Sequence, residues 1–184
     1  VTVTDANGCS TTSSTTLTQP DPLALTGCPT NITKNTDEGK SYATVTWTEP
    51  TFSPIGNGAT LNVTGKTATN QYPVGTTTIT YTVTNTCGES QSCSFTINVQ
   101  DNQAPKITCV VTGNQDVLPN SAGNTYTHSG NSWNATATDN VAVTSLTYTL
   151  TGATVDNTPK TTLDGQVFNY GTTTVTWKAT DNTG

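Results

Sequence analysis

The feature that most constrains this chain is an internal repeat. Tyr72-Pro-Val-Gly-Thr-Thr-Thr-Ile-Thr-Tyr-Thr-Val-Thr-Asn-Thr-Cys-Gly88 returns as Phe168-Asn-Tyr-Gly-Thr-Thr-Thr-Val-Thr-Trp-Lys-Ala-Thr-Asp-Asn-Thr-Gly184. A shorter copy, Val1-Thr-Val-Thr-Asp-Ala-Asn-Gly8, opens the chain and matches Tyr81 to Gly88 and Trp177 to Gly184. Each copy ends a strand, places Asn or Asp next, and turns on a Gly. Copies of one sequence unit fold alike, so the period sets the domain size. It suits small β-sandwich domains of roughly 100 residues. The chain then divides into the end of one unit (1–22), a whole unit (23–103) and a further, divergent unit lacking its last strand (104–184). Acid-polar-proline runs mark the joints, Thr18-Gln-Pro-Asp-Pro22 and Asp101-Asn-Gln-Ala-Pro105. Proline fixes φ and has no amide to donate, so such linkers are stiff and stop a strand ladder.

Within the units, apolar residues alternate with Thr or Asn along Thr44–Thr48, Thr78–Thr84, Ser94–Val99 and Val141–Leu150. A period of two is that of a sheet with one packed and one wet face. Trp47 and Trp177 fall on the inward face. Only 31% of residues are hydrophobic and 10% charged, so the polarity comes from Thr, Ser, Asn and Gly, with 15 Gly and 9 Pro as punctuation. β-branched Thr fits a half-exposed pleated surface, and the ordered alternation separates the chain from disordered polar sequences. No segment holds a helical period of useful length. The expected fold is all-β: tandem immunoglobulin-like β-sandwich domains in a rod-like array.

The net charge of −6 carries no basic run or stripe, which removes the electrostatic footprint of a nucleic-acid binder. No apolar stretch approaches the ~20 residues a spanning helix needs, so membrane insertion is not expected. Five Cys without C-x-x-C spacing and one His argue against zinc and for disulfides in an oxidising, extracellular setting. In the whole unit, Cys28 is expected at the start of the first strand and Cys93 on the last, and a bridge between them is the favoured pairing. Cys109 takes the place of Cys28 in the next unit, and Cys9 belongs to the preceding one, so both are expected to pair outside these residues. Cys87, replaced by Thr183 in the second copy, is either free or a competitor for Cys93; spacing does not decide.

Catalysis finds little support. His128 is the sole imidazole, in a Thr-Tyr-Thr-His-Ser-Gly stretch that reads as strand end and turn. The acids Asp37, Glu38, Glu49, Asp116, Asp139, Asp156 and Asp164 lie mostly beside Gly, Asn or Pro, where carboxylates cap their own turns. The chain is read as no enzyme, with no cofactor unless it is calcium. Asp101-Asn102, Asp139-Asn140 and Asp181-Asn182 offer the oxygens a hard cation prefers, although they match no EF-hand loop. Asp101, Asn102, Asp139 and Asp181 are therefore candidate calcium ligands, weighed against simple Asx caps at strand ends. Asn31, Asn62 and Asn134 fit the N-glycosylation pattern, which arises easily by chance in an Asn- and Thr-rich chain.

Two resemblances follow from these motifs. Cys28-Pro29 with Ile32, Ala43-Thr-Val-Thr-Trp-Thr-Glu-Pro50, Tyr72–Tyr81, Cys93-Ser-Phe-Thr-Ile-Asn-Val99 and Asp101–Pro105 resemble a hyalin repeat (HYR) domain across residues 28 to 105. Residues 106–184 are similar but lack the Trp-x-x-Pro stretch. The opening Val1–Cys9 and Leu17-Thr-Gln-Pro20 resemble the end of the repeat of SprB-type gliding adhesins of Bacteroidetes. That resemblance implies an earlier Cys as partner of Cys9, and a very large adhesin exported by the type IX system to the outer surface, where it moves with the gliding machinery. The expected role is a repeat segment of a secreted surface adhesin, contributing filament length and stiffness. Its expected partners are adjacent domains, an external surface or its glycans, and, through other regions, the gliding or secretion machinery. An accessory carbohydrate-binding module of a secreted polysaccharide-degrading enzyme is the alternative.

Overall fold

The computed structural model describes residues 1–16, 22–53, 58–121 and 123–183. The joint expected at Thr18–Pro22 and the Leu17–Pro20 stretch therefore lie, except for Pro22, outside the described residues. Among the described residues every regular element is a strand, and no helix is long and apolar enough to cross a membrane. The first strands are β1 (Thr2–Thr4), β2 (Ser10–Thr12), β3 (Ala24–Thr26), β4 (Ile32–Asn35), β5 (Tyr42–Thr44) and β6 (Thr51–Ser53). Then come β7 (Thr60–Thr64), β8 (Gln71–Pro73), β9 (Gly75–Thr84), β10 (Ser90–Gln100) and β11 (Lys106–Thr108). The last are β12 (Thr125–Thr127), β13 (Thr136–Thr138), β14 (Val143–Gly152), β15 (Asp156–Lys160), β16 (Val167–Asn169) and β17 (Thr173–Asp181).

Internal contacts gather the chain into two compact units. One comprises Val1–Pro29, Thr48–Thr64 and Thr80–Ser94; the other comprises Thr30–Trp47, Gly65–Ile79 and Phe95–Gly184. In the first unit β1 and β2 form an antiparallel hairpin, β3 pairs with β6, and β7 pairs with β9 from Thr60↔Thr84 to Thr64↔Thr80. In the second, β4 runs parallel to β10 from Ile32↔Ile97 to Asn35↔Gln100, while β5–β8, β11–β13, β12–β16 and β15–β14–β17 are antiparallel. The antiparallel ladders recur. Strand pairs β3–β6, β5–β8 and β7–β9 have the same chain order as β11–β13, β12–β16 and β14–β17, so the sequence repeat is also a repeat of topology.

Alternation along the long strands sorts side chains as a half-buried sheet requires. Strand β9 buries Ile79, Tyr81 and Val83, and β10 buries Phe95, Ile97 and Val99, with Thr, Ser and Asn on the intervening positions. In the second unit Trp47 packs edge-on against Phe95, at 5.2 Å between ring centres, and tilts over Tyr72 at 6.1 Å. A second cluster in that unit holds Tyr148, Leu150 and Leu163, with Trp133, Phe168, Val175 and Trp177 against it. Both tryptophans thus serve the packed face.

One strand is shorter than its alternation suggests. The pattern Thr44–Thr48 belongs to a strand that ends at Thr44, although Val45 is still buried and its amide still bonds Asn70 O at 2.9 Å. The ladder runs out because the partner strand begins only at Gln71, after Asn70 turns with φ 55°. The expectation that Cys28 opens the first strand is likewise corrected, since it lies between β3 and β4.

The three sequence copies share one turn. Asp5 Oδ1 accepts the amides of Asn7 and Cys9, and Asn85 Oδ1 accepts those of Cys87 and Glu89. Asp181 Oδ1 accepts the amide of Thr183. A short side-chain acceptor two residues before the amide it takes closes the turn, in the first two copies alongside backbone bonds from Gly8 N to Asp5 O and from Gly88 N to Asn85 O, and Asp and Asn supply it at all three positions.

The glycines that close β7 and end β14 are also matched. Gly65 has φ +81° and an added Cβ would lie 2.1 Å from Thr78 O; Gly152 has φ +101° and its Cβ would lie 2.4 Å from Thr172 O. Gly65→Ala is expected to destabilise the protein by about 3 kcal/mol, combining left-handed strain with a backbone clash. Urea unfolding of the variant checks this.

Candidate metal centre

The group of residues best suited to bind a ligand is acidic and lies within the second unit. Asp101 follows β10, Asp139 follows β13 and Asp181 ends β17, and one oxygen from each falls within 4.8 Å of the others. Asp101 and Asp181 are each only 6% exposed. Asp139 is half-buried.

Each acid spends one oxygen on local structure. Asp101 Oδ1 accepts from the Gln103 amide at 3.2 Å, Thr36 Oγ1 at 3.4 Å and Asn140 Nδ2 at 3.1 Å. Asp139 Oδ1 accepts the amides of Val141 at 2.8 Å and Ala142 at 3.1 Å, turning the chain into β14. The remaining oxygens, Asp101 Oδ2 and Asp139 Oδ2, are buried and accept no hydrogen bond from the protein. A buried anionic oxygen without a donor is expensive, by several kcal/mol, unless a cation compensates it.

Asn140 adds a neutral oxygen. Its Nδ2 donates to Lys40 O at 2.9 Å, to Thr36 Oγ1 at 3.3 Å and to Asp101 Oδ1. Because a backbone carbonyl and a carboxylate can only accept, the amide cannot be reversed. Asn140 Oδ1 is therefore directed away from these acceptors, and it too is buried without a donor.

Gln103 braces the network. Its Nε2 donates to Thr36 Oγ1 at 2.8 Å and Asp37 O at 3.1 Å, and its Oε1 accepts the Gly39 amide at 2.7 Å. Beside it, the Thr44 hydroxyl and amide, helped by Lys34, hold the half-buried Asp37 carboxyl below its ordinary range.

Of the four candidate ligands, Asp101, Asp139 and Asp181 come together, while Asn102 is exposed beside Asp101. The buried amide oxygen comes from Asn140 instead. Thr36, Lys40 and Gln103 had no motif to announce them, because only the fold carries Thr36 to Asp101.

The other singled-out residues sit elsewhere. Cys28 and Cys93 are joined as a disulfide with Cα atoms 6.2 Å apart, and Cys9, Cys87 and Cys109 are exposed free thiols. The parallel register Ile32↔Ile97, carried back along both segments, sets Cys28 opposite Cys93. His128 is 3% exposed and stacks flat on Trp133 at 4.1 Å. Glu49 accepts the Tyr81 hydroxyl, Asp156 pairs with Lys160 at 2.6 Å, and Asp164 accepts the Gly130 amide. These acids cap and brace strands.

Residues 18–99 match the HYR domain. The HYR segment includes Cys28, Cys93 and the Trp47 cluster. Similarity to hyalin of Strongylocentrotus purpuratus reaches past the HYR match, with 31% identity over 181 residues, 96% of this chain and 14% of hyalin. The sushi, von Willebrand factor type A, EGF and pentraxin domain-containing protein 1 of Mus musculus is 37% identical over 82 residues, 44% of this chain and 2% of that protein. The chain thus spans a small part of each relative.

Proposed function

We propose that this chain is a repeat segment of a large extracellular surface protein, in which HYR-type sandwiches follow one another and supply length, stiffness and adhesive surface. The observation that carries this reading is the reach of the hyalin similarity. It runs through 96% of the chain, beyond the HYR match, and the three antiparallel ladders of the HYR segment recur in the residues that follow it. The natural joints are then near residues 22 and 103, with 23–103 and 104–184 as successive units.

The parent protein is, in this proposal, a secreted adhesin of the SprB gliding type, carried by a member of the Bacteroidetes, exported by the type IX system and displayed at the outer surface. Support comes from the resemblance of the opening Val1–Cys9 and Leu17–Pro20 sequences to the end of the SprB-type repeat. Neighbouring units of the same chain are its first partners, and an external surface or its glycans the second. An antibody raised against the chain should label intact, unpermeabilised cells and slow their attachment and gliding. Labelling only after permeabilisation would contradict the proposal.

A glycan-binding module is favoured by a different observation. In the second unit a cleft of about 750 Å³ is lined by Tyr126, Trp133, Phe168 and the exposed Tyr170, among others. Flat aromatic rings suit sugar faces. Retention of the chain on immobilised polysaccharide, lost in Tyr170→Ala, would favour this reading over a spacer.

A further inference from the structure

We propose that Asp101, Asp139 and Asp181, completed by the carbonyl oxygen of Asn140, bind one calcium ion. The donors are all oxygen, three of them carboxylates, which selects a hard cation over zinc or copper. Calcium–oxygen distances of about 2.3–2.6 Å allow ligand atoms up to about 5 Å apart. The three acids meet that limit as they stand, with their oxygens within 4.8 Å of one another. Magnesium, at about 2.0–2.1 Å and near-octahedral, would require the acids to close in.

Two independent observations separate this group from an ordinary acidic patch. Asp101 is 94% buried, given its 6% exposure, and its Oδ2 accepts nothing from the protein. Asn140 Oδ1 is also buried and unpartnered, and its orientation is fixed by three acceptors around the amide nitrogen. Both acids and amide are locked by turns and by Gln103 before any ion arrives, so little ordering opposes binding.

The ion would join three elements distant in sequence: the end of β10, the turn into β14 and the end of β17. Its effect is to fix the Asp101–Pro105 run against the strands that follow it. The same turn at Asp5 belongs to the other unit and is no member of this group. It serves as an internal control.

The test is calorimetric titration of chelator-treated protein with calcium chloride and, separately, magnesium chloride, paired with thermal unfolding in each. One calcium ion should bind with a Kd of about 10⁻⁴–10⁻³ M, the range of extracellular modules. Magnesium should bind at least about tenfold more weakly, given its stricter geometry.

Asp139→Asn keeps an oxygen for the Val141 and Ala142 amides while removing a charge. It should weaken calcium at least about tenfold, yet raise the melting temperature in chelator by relieving repulsion. Asp181→Asn should behave alike, and Asp5→Asn should leave calcium binding unchanged. Absence of a calcium-dependent heat and melting shift, equal affinity for magnesium, or wild-type calcium affinity in both Asp139→Asn and Asp181→Asn would overturn the assignment.

Discussion

Cys28→Ser is expected to lower the unfolding free energy by about 4 kcal/mol, the larger part of what a domain of this size has to spare. The reason lies mainly in the unfolded chain. The bond closes a loop between residues 65 apart, and a loop of that length restricts the denatured ensemble by about this amount. Packing contributes little, because Cys28 is exposed and Cys93 half-buried. Two consequences follow for guanidinium unfolding under non-reducing conditions. Cys93→Ser and the double variant should each lose as much as Cys28→Ser alone, since either single change removes the whole constraint. Wild type in reductant should fall to the level of the variants.

Phe95→Ala should cost a further, independent amount of about 4 kcal/mol, within the range for deleting a buried aromatic ring. Phe95 is 2% exposed and its ring meets the edge of Trp47. Removing it leaves a void that Tyr72 and Trp47 cannot fill, because Tyr72 is fully buried and held in register by β5. Here the loss is in the folded state, so it should persist in reductant, where the loss from Cys28→Ser vanishes. The Trp47 fluorescence, with its packing neighbour gone, offers a local readout of the same change.

Much of this fold was legible in the sequence because a β-sheet writes its packing into a period of two. Ile79, Tyr81 and Val83, or Phe95, Ile97 and Val99, could be assigned to one face by alternation alone, and all are buried. The repeated Asx turn was legible because its chemistry is local, set by one side chain and the amides just beyond it. Strand ends were not. Whether Val45–Thr48 continues a ladder depends on a partner whose turn at Asn70 lies far along the chain, and the alternation carries no trace of it.

The acidic site divides in the same way. Asp101, Asp139 and Asp181 stand out as acids before Asn at strand ends, and the fold brings those three together. Asn102 bears the same signature as Asn140, yet lies exposed. Only the meeting of Asn140 with Lys40 O and Thr36, a hundred residues away in sequence, distinguishes the two. Gln103, which braces Asp101, looked like linker polarity.

The central claim is a sandwich whose parallel β4–β10 pairing is clamped by a bridge between Cys28 and Cys93. Its most direct test is a non-reducing peptide map of the protein recovered from its own cell surface, with free thiols alkylated first. The account predicts a Cys28–Cys93 linked peptide. A Cys28–Cys87 peptide, or alkylated Cys28 and Cys93 throughout, would contradict it.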